Sequence, residues 1–374
     1  MRICVVSDFF VPHYNGGGER RYYEILKRLV KNGFEIDLIC MKIKGVPNSE
    51  EIEGIHVHHI GPVIASPPSR NLLQFVQFVF AAFYWMIRRD YDVVEGHGTG
   101  LLAVSLVGKL KRAKSVAVIH DLSSGKADQW LGFSRLSELI EKLLIKLPYD
   151  TIINVSKGVK KRLVNEYQID PKKIEVVHNG VDLDLVDSVE AKQEKYSIIY
   201  VGRLIPHKHV DDLIQAVGII RTAIPDVKLK VIGAGQEMAS LKDLVRALKL
   251  EKNVKFFGSL QNYEDVIKEI KKSSVLVLPS TREGFGMVLV EAFACRVPCV
   301  AYYSDGVVEV IDNGKNGYLV KQRDVKQLAR LLSKILNDSN LAVQLGERGR
   351  SKTEKKFSWD GAARSLTGVY KNGK

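Results

Sequence analysis

Two glutamates stand eight positions apart in "REGFGMVLVE" (282–291), with two glycines between them. An ionised carboxylate accepts hydrogen bonds from hydroxyl groups, so Glu283 and Glu291 suit a hydroxyl-rich ligand such as a sugar or a ribose. Gly284 and Gly286 allow a tight turn and a close approach of the backbone to that ligand. The alternative is one glutamate capping a helix and a second one on a solvated helix face. The spacing alone leaves both interpretations open.

The elements around this stretch separate the two glutamates. "SVLVLPS" (274–280) predicts a buried strand, and "MVLVEAFAC" (287–295) predicts a helix. Glu283 then lies in the loop at the carboxyl end of the strand, and Glu291 lies on the helix. The first backbone N–H groups of a helix form a natural phosphate site. Here they belong to Phe285, Gly286, Met287 and Val288.

A second loop carries two cations. "VGRLIPHKH" (201–209) places Gly202 and Arg203 at the end of a predicted strand and Lys208 five residues after the arginine. Two cations at the carboxyl end of one strand can clamp a diphosphate, the arginine through its planar fork and the lysine as a point charge. Either residue alone is an ordinary surface charge. The pair in one loop favours a diphosphate site.

The first part of the chain offers a glycine-rich loop and two histidines. Gly16, Gly17 and Gly18, in "GGGER", present backbone amides to an anion or to a closely packed substrate. The spacing is not the GxGxxG of a dinucleotide site, and a flexible loop is the alternative. His120 ends the predicted strand "SVAVIH", and His97 ends a neighbouring strand. Histidines at two strand ends favour a role in lining a ligand site.

Three further histidines, His56, His58 and His59, lie along one predicted strand. The sequence shows no acidic partner at metal-ligand spacing, so these residues are interpreted as structural. No metal site is predicted.

Strands and helices alternate along the chain, and the pattern starts again after a polar stretch at 181–197. Such alternation predicts parallel βαβ units. The fold class is therefore α/β, with two Rossmann-like doubly wound domains facing each other across a cleft. Ligands of such domains bind at the carboxyl ends of the strands. The first half has predicted strands at 2–7, 35–40, 54–60, 91–98, 114–120 and 150–156, and the second half at 198–203, 228–235, 254–260, 274–280, 297–303 and 316–320.

Composition limits the classes of partner. The 374 residues carry a net charge of +13, which suits nucleic acid, anionic lipid or phosphorylated small molecules. No helix-turn-helix, zinc-ligand or RNP-like pattern is present, so nucleic acid is not predicted as a partner. The N-terminus has no secretory signal, and the four cysteines form no CxxC pair, which favours the cytoplasm. A solvated lysine-rich surface accounts for part of the charge.

The segment "NLLQFVQFVFAAFYWMIRR" (71–89) is apolar on nearly all sides. It is short for a spanning helix, which needs about 20 apolar residues. A helix buried in a large α/β core is favoured over one that touches a membrane surface.

Taken together, the motifs resemble the retaining nucleotide-sugar glycosyltransferases of the GT-B fold, family 4 (glycosyl transferases group 1). The resemblance runs nearly end to end, and the order and spacing of the pieces are more specific than any one of them. The pieces are "GGGER", "VSKGVKKRL" (155–163), "VVHNGVD" (176–182), "VGRLIPHK" (201–208), "EGFGMVLVE" (283–291), "EVIDNGKNGYLV" (309–320) and "FSW" (357–359).

The resemblance implies roles for the candidate residues. Glu283 would contact the donor sugar near the reacting centre, and Glu291 would hold the ribose hydroxyls. Arg203 and Lys208 would neutralise the diphosphate leaving group. His120 would touch the donor sugar from the other domain. The amides of Phe285 to Val288 would meet sugar and phosphate, and the loop Gly16 to Gly18 would border donor phosphate and acceptor.

The implied reaction is transfer of a sugar from a UDP- or GDP-linked donor to a hydroxyl of an acceptor, with retention by front-face attack. It needs no cofactor and no metal, since the nucleotide sugar is a co-substrate. The implied domains are 1–181 with a crossover helix at 357–374, and 182–356. Two positions depart from the family pattern: His209 replaces a glycine, and "SDGVVE" (304–309) has a single glycine, Gly306, and no proline. Donor identity is therefore left open between UDP and GDP sugars.

Two other functions keep the same architecture. A GT-B-fold sugar-nucleotide epimerase, or a non-catalytic protein that binds nucleotide sugars, would share the fold. The acceptor could be a sugar or a lipid-linked glycan precursor. The basic segment 19–33, the segment 71–89 and the positive charge favour an acceptor at an anionic membrane surface, with the protein at the inner face.

Overall fold

The computed structural model describes residues 1–14, 16–65, 67, 70–122 and 134–372, with residues 134–138 described only as part of a helix. The chain forms two compact units. One comprises Met1–His178 together with Trp359–Lys374, and the other comprises Asn179–Ser358. Each unit is an α/β domain with its own sheet.

The N-terminal unit alternates strands and helices along the chain. Its described strands are β1 Arg2–Val6, β2 Glu35–Ile43, β3 Ser49–Ile52, β4 Ile55–Ile64, β5 Val93–Gly96, β6 Lys114–Ile119, β7 Thr151–Asn154 and β8 Ile174–Val176. Its described helices are α1 Gly17–Lys31, α2 Leu72–Ile87, α3 Leu101–Leu110, α4 Ser134–Ile145 and α5 Lys157–Asn165. The strands form one sheet in the order β3-β4-β2-β1-β5-β6-β7-β8.

All neighbouring strands of this sheet are parallel except β3 and β4, which pair antiparallel. The inner strands are apolar runs because helices cover both faces of a parallel sheet. In β1, for example, Ile3 to Val6 are fully buried. Strands β3 and β8 were not predicted from the sequence. The first is the polar edge segment Ser49–Ile52 and the second has only three residues, so neither carries an apolar run.

The C-terminal unit is a second doubly wound domain, as the sequence predicts. Its strands are β9 Ser197–Val201, β10 Lys228–Ile232, β11 Val254–Gly258, β12 Val275–Leu278, β13 Cys299–Tyr302 and β14 Gly317–Val320. Its helices are α6 Leu183–Ser188, α7 Val210–Ile220, α8 Met238–Ala247, α9 Tyr263–Lys271, α10 Met287–Ala294, α11 Val307–Val310, α12 Val325–Asn337 and α13 Ser339–Lys356. The sheet is fully parallel, in the order β11-β10-β9-β12-β13-β14.

The last helix, α14 Trp359–Lys371, belongs to the N-terminal unit and packs against α1. Arg28 of α1 donates from Nε to Asp360 at 2.7 Å. The buried Lys114 Nζ donates to the Val369 carbonyl at 2.5 Å. Chain segments far apart in sequence therefore complete one domain.

Helix α2 has one buried face and one exposed apolar face. Phe78, Val79, Ala82 and Met86 are buried against the sheet and α3. The opposite side, called here the outward face of α2, consists of Leu72, Leu73, Val76, Phe80 and Tyr84, and all five are exposed. The prediction of a helix buried in the core is therefore wrong for this face. Among the described helices, none is long and apolar enough to cross a bilayer.

Candidate functional site

The candidate residues of the C-terminal unit gather where the strand order reverses. Strand β9 lies between β10 and β12, so the chain moves outward on one side and then on the other. The carboxyl ends of two such strands face the crevice where doubly wound domains bind ligands. The loop after β9 carries Gly202, Arg203 and Lys208, and the loop after β12 carries Glu283 and Gly284. Neighbouring parallel strands therefore bring the two predicted loops together.

Backbone contacts fix the loop after β9. The Gly202 N–H donates to the Ile232 carbonyl at 3.0 Å, and the Leu204 N–H donates to the Ala234 carbonyl at 2.9 Å. The Tyr200 hydroxyl donates to the Arg203 carbonyl at 2.8 Å. The Arg203 side chain is exposed. The cation is thus presented to solvent from a backbone that is held in place.

A threonine that the sequence analysis missed joins the two loops. The Thr281 N–H donates to the His207 carbonyl at 2.9 Å. The ring of His209, where the family pattern has glycine, lies with Nε2 3.2 Å from the Thr281 hydroxyl. His209 has a positive φ of 46°, the left-handed conformation for which glycine is the usual residue. His209 therefore adopts a backbone conformation typical of glycine and adds a side-chain contact to Thr281.

Lys208 and Glu283 meet directly. The Lys208 Nζ lies 2.6 Å from the Glu283 Oε2, and both side chains are largely shielded from solvent. From the sequence, these residues were predicted on separate loops and with separate roles. The structure makes them an ion pair across the β9 and β12 strand ends.

Helix α10 begins as the sequence predicts. It directly follows the turn that contains Gly284 and Gly286, called here the glycine turn. Gly286 is its N-cap residue and has a positive φ of 85°, which only glycine adopts without strain. Met287 and Val288 form the first turn, whose N–H groups lack intrahelical partners in any α-helix. Phe285 is buried and packs edge-on against Phe357 at 5.4 Å between ring centroids. The turn before α10 is thereby anchored by an aromatic contact.

Glu291 lies on α10, one turn after Met287, and is 8% exposed. Its Oε1 accepts a hydrogen bond from the Tyr263 hydroxyl at 3.0 Å. Tyr263 is the first residue of α9 and gave no signal in the sequence. Glu291 is therefore buried and hydrogen-bonded, and the alternative of a glutamate on a solvated helix face is wrong.

The divergent segment "SDGVVE" (304–309) packs on the glycine turn. The Gly306 N–H donates to the Glu283 carbonyl at 3.2 Å. A Cβ on Gly306 would lie 2.5 Å from the Phe285 nitrogen, so only glycine fits at this position. The single glycine of the segment is therefore the residue that lets two backbone segments touch beside Glu283.

In the N-terminal unit, the predicted glycines and His120 also come together. A Cβ on Gly18 would lie 3.5 Å from the His120 Nε2, so the first turn of α1 borders this ring. The His97 and His120 rings are 5.1 Å apart, and Tyr22 stacks on His97 at 5.0 Å. His97 follows β5 and His120 follows the next strand, β6. Strand β5 pairs with β1, the strand at which the order of this sheet reverses.

The imidazole of His120 is held neutral. Burial, then the neighbouring His97 and Arg21, lower the pKa of His120 well below its usual range. Burial is also the main cause of the lowered pKa of His97. Among the described residues, the buried His120 Nε2 has no hydrogen-bond partner. A neutral ring with an unused nitrogen can exchange a hydrogen bond with a ligand hydroxyl.

The start of α1 differs from a simple anion site. Gly16 is the N-cap, and Gly17 and Gly18 open the helix. The buried Glu19 lies in the same first turn, with its carboxylate beside Gly16. A carboxylate at a helix N-terminus already interacts favourably with the helix dipole. Of the two predicted uses of this loop, close packing against a substrate fits better than binding an anion.

Asp8, a buried acid that was given no role from the sequence, joins two loops at the carboxyl ends of the strands of this sheet. Asp8 follows β1 and is 2% exposed. Its Oδ2 accepts from Arg70 Nη2 at 2.6 Å, and its Oδ1 accepts from the Thr99 N–H at 3.3 Å. The loops after β1 and β5 are thereby joined, as the loops after β9 and β12 are in the other unit.

The interpretation of the strand histidines as lacking acidic partners is wrong. His58 Nε2 lies 3.2 Å from Asp37 Oδ1, and His59 Nε2 lies 2.9 Å from Glu50 Oε1. Glu50 is on β3, the strand that was not predicted, and β3 pairs with β4. Glu50 was therefore missed together with its strand, whereas Asp37 lies on β2, a predicted strand that pairs with β4.

Comparison with known proteins identifies the family. The family model "Glycosyl transferases group 1" matches residues 184–352, and "Glycosyltransferase Family 4" matches residues 15–185. An uncharacterized glycosyltransferase of Methanocaldococcus jannaschii is 26% identical over 390 residues, covering 99% of this chain and 98% of the relative.

Solved structures share the fold over the whole chain. Sucrose-phosphate synthase from Thermosynechococcus elongatus aligns with a TM-score of 0.87 at 21% identity, covering 99% of this chain and 98% of that one. The Anabaena protein HepE, solved in complex with UDP-glucose, aligns with a TM-score of 0.78 at 18% identity, covering 99% of both chains. The fold is GT-B, as predicted. With the two family matches adjoining along the sequence, the chain belongs to the group 1 glycosyltransferases.

Proposed function

We propose that this glycosyltransferase moves a sugar from a nucleoside diphosphate sugar to a hydroxyl of an acceptor, with retention of anomeric configuration. The observation that carries the proposal is the Lys208–Glu283 contact, with Nζ 2.6 Å from Oε2, directly before the glycine turn that opens α10. A cation, a carboxylate and a helix N-terminus then stand in one place. This is the set of groups that a sugar diphosphate needs.

The donor is proposed to be a UDP- or GDP-linked sugar. HepE, which shares the fold, has been solved with UDP-glucose. In this chain the N–H groups of Met287 and Val288 would receive the phosphate, and the buried Glu291 would accept hydrogen bonds from the ribose hydroxyls. The bond from Tyr263 to Glu291 supports this role, since it holds the carboxylate in one orientation before ligand arrives.

The transfer step breaks the bond between the anomeric carbon and the diphosphate oxygen and forms a bond from that carbon to the acceptor oxygen. In front-face attack the acceptor proton passes to the departing phosphate oxygen. Negative charge builds on the diphosphate, and Arg203, Lys208 and the start of α10 would stabilise it electrostatically. These groups supply the stabilisation without a divalent metal at the diphosphate, so the step is proposed to be metal-independent.

Glu283 is proposed to stabilise the positive charge that develops at the anomeric carbon. Its ion pair with Lys208 lowers its nucleophilicity, because the ammonium group competes for the carboxylate electrons. A retained configuration then needs no covalent intermediate on this residue. The assignment of His120 to a donor sugar hydroxyl stays a prediction, supported by its neutral ring and its unpartnered Nε2.

The acceptor is proposed to be a sugar or lipid-linked glycan precursor met at the inner face of an anionic membrane. The support is the outward face of α2, where Leu73 is 65% and Phe80 69% exposed. The neighbouring helix α3 adds exposed Leu106 and Leu110. Cations border these apolar side chains, as expected for a surface that docks on anionic lipid: Arg88, Lys109 and Arg112 are all exposed.

Helix α1, which the sequence analysis grouped with this membrane surface, contributes less. Arg20, Lys27 and Arg28 all form ion pairs of 2.6–2.8 Å with the buried Glu24. Arg21 is buried and donates to the Val177 carbonyl. Much of the positive charge of α1 is therefore used inside the N-terminal unit.

The experiment that tests the proposed function is a panel of UDP- and GDP-sugars incubated with simple glycosides and lipid-linked acceptors, with free nucleotide and products measured by liquid chromatography. Acceptor-dependent release of UDP or GDP, without added Mg²⁺ or Mn²⁺, is expected. Product configuration is read by NMR of the anomeric proton. Conversion of the donor sugar without acceptor would favour the epimerase alternative, and binding without any product would favour the non-catalytic one.

A further inference from the structure

Three side chains of types that can ligate a metal converge at the edge of the N-terminal sheet, and none of the three has a role in the proposed transfer. His13 lies in the loop after β1, Glu50 lies on β3, and His59 lies on β4. The Glu50 Oε1 is 2.8 Å from His13 Nε2 and 2.9 Å from His59 Nε2. One ligand atom from each residue lies within 4.8 Å of the other two. We propose that this cluster binds one divalent transition-metal ion of the zinc type, with both Nε2 atoms and the Glu50 carboxylate as ligands.

The set of donor atoms points to the class of metal. Two imidazole nitrogens and one carboxylate suit zinc, whereas magnesium and calcium prefer oxygen ligands throughout. Tetrahedral zinc with bonds of about 2.0–2.2 Å holds its ligand atoms roughly 3.3 Å apart. The contacts of Glu50 with both rings are somewhat shorter than that, so modest side-chain rotations make room for an ion.

The second nitrogen of His59 is placed as in a metal site. His59 Nδ1 lies 3.4 Å from the Met41 carbonyl oxygen and 3.3 Å from Cys40 Sγ. A metal-ligating histidine commonly donates its other ring N–H to a carbonyl, which fixes the tautomer that offers Nε2 to the ion. Cys40 Sγ lies on the Nδ1 side of the ring, whereas Glu50 lies on the Nε2 side, so this sulfur is a neighbour of His59 rather than a ligand.

The three side chains of the cluster differ in their exposure to solvent. The His59 side chain is 1% exposed, whereas His13 and Glu50 are each 24% exposed. The ion thus has an entry path from solvent, and a water molecule can complete a fourth position beside three protein ligands. Hydrogen bonds from the two imidazole rings to Glu50, with no ion present, are the alternative that the test must separate from metal binding.

Binding would tie the loop that carries His13 to the β3–β4 pair. The same loop leads into Gly16, Gly17 and Gly18 at the start of α1. An ion that binds only the folded arrangement stabilises that arrangement by mass action. The inference rests on the contacts of this cluster alone and does not depend on the proposed transferase reaction.

The test uses the full chain, stripped of metal with a chelator and titrated with Zn²⁺ in a calorimeter, with Mg²⁺ as the comparison ion. One Zn²⁺ per chain and no response to Mg²⁺ are expected. Glu50→Gln and His13→Gln should weaken zinc binding by about 100-fold or more, since losing even an outer hydrogen-bond partner of a ligand costs about 10–100-fold. Zn²⁺ should also raise the melting temperature of the parent protein but not that of these two variants.

His56→Gln is the matched control, because His56 lies on the same strand with its side chain largely exposed and outside the cluster. This variant should bind Zn²⁺ as the parent protein does. Absence of zinc binding in the parent protein would overturn the proposal. So would binding that Glu50→Gln and His13→Gln leave unchanged, which would place the ion elsewhere on the chain. Both variants alter partly buried side chains, so their folding is checked directly by circular dichroism.

Discussion

The Nζ atom of Lys208 lies 2.6 Å from Oε2 of Glu283, joining the loop after β9 to the loop after β12. These side chains are 14% and 18% exposed, so the pair is shielded from solvent but not sealed. A lysine ammonium group has three N–H donors. Lys208 can therefore hold Glu283 and still donate to a phosphate oxygen. The contact positions both groups before a donor binds.

Replacing either partner should separate binding from turnover. Glu283→Gln leaves the Lys208 charge without its counterion, so UDP or GDP should bind as tightly as before or more tightly. Turnover should fall by about 10²–10³-fold, the usual cost of removing one preorganised electrostatic group. Lys208→Ala should weaken nucleotide binding and turnover together. Calorimetry with the free nucleotide and initial rates of transfer measure the two effects.

Lys252→Ala is the control for this pair, because Lys252 is an exposed lysine in the loop between α8 and β11. It should leave binding and turnover unchanged. Unaltered nucleotide affinity in Lys208→Ala would contradict the assignment of this lysine to the diphosphate.

Replacing Gly306 with alanine should destabilise the protein, whereas the same replacement at Gly218 of the same unit should not. An alanine Cβ at position 306 would lie 2.5 Å from the Phe285 nitrogen and push the glycine turn away. Overpacking of this kind typically costs about 1–3 kcal/mol, and nucleotide binding should weaken with it. In α7, a Cβ on Gly218 would meet nothing closer than 3.7 Å. Gly218→Ala should therefore be neutral or stabilising by up to about 1 kcal/mol.

Urea denaturation gives the stability of both alanine variants, and calorimetry gives their nucleotide affinity. Equal stability and equal affinity of Gly306→Ala and the parent protein would show that the two backbone segments do not touch as described.

Strands with apolar runs could be predicted from the sequence, and with them much of the candidate site. Once β9 and β12 are recognised as neighbouring strands of a doubly wound sheet, their loops must meet, which places Lys208 near Glu283. The register of an edge strand cannot be predicted in this way. Strand β3 has the polar sequence Ser-Glu-Glu-Ile, so neither it nor the approach of Glu50 to His59 left a periodic signal.

The sequence pattern also could not predict which charges of a helix are paired or which of its apolar side chains are exposed. Helix α1 looks basic, yet the buried Glu24 pairs with three of its cations. The segment of α2 looks apolar on all sides, yet its neighbours cover only one face. In both cases tertiary packing decides the outcome, and periodicity along one helix carries no information about it.

The buried Glu95 should make stability fall as pH rises. Burial raises the pKa of Glu95 to about 7, although the Tyr370 hydroxyl, 2.6 Å from Oε2, opposes the shift. The usual value of about 4.5 applies in the unfolded chain. Between these values the folded state holds more protons than the unfolded state, so the contribution is complete below pH 4.5 and lost through pH 7. The loss is of the order of 3 kcal/mol at 1.36 kcal/mol per pKa unit.

Glu95→Gln removes this titration and keeps the shape of the protonated acid. Relative to the parent protein, the variant should gain up to about 3 kcal/mol in unfolding free energy between pH 5 and pH 8. Urea denaturation at both pH values measures the difference. Glu35→Gln, at an exposed position that starts β2, is the control and should follow the parent protein. A constant difference between Glu95→Gln and the parent protein would exclude a raised pKa.

The outward face of α2 should bind anionic membranes. Leu73 and Phe80 lie on it, and burying a large apolar side chain contributes about 1.5–3 kcal/mol. Sedimentation with vesicles that contain phosphatidylglycerol should therefore carry the protein down at low salt. The bound fraction should fall at higher salt, because ions screen the attraction between Arg88, Lys109 and Arg112 and the lipid headgroups.

Substitution separates the apolar part of this attraction from the electrostatic part. Leu73→Ser with Phe80→Ser should weaken vesicle binding by at least about tenfold while leaving transfer to a water-soluble glycoside unchanged. Val343→Ser is the matched control, since Val343 is an exposed apolar residue of α13 in the C-terminal unit. If the double variant sediments as the parent protein does, the membrane contact lies elsewhere. If the parent protein does not bind these vesicles at low salt, the outward face of α2 and its neighbouring cations do not attract lipid. The proposed acceptor at the membrane then loses its support.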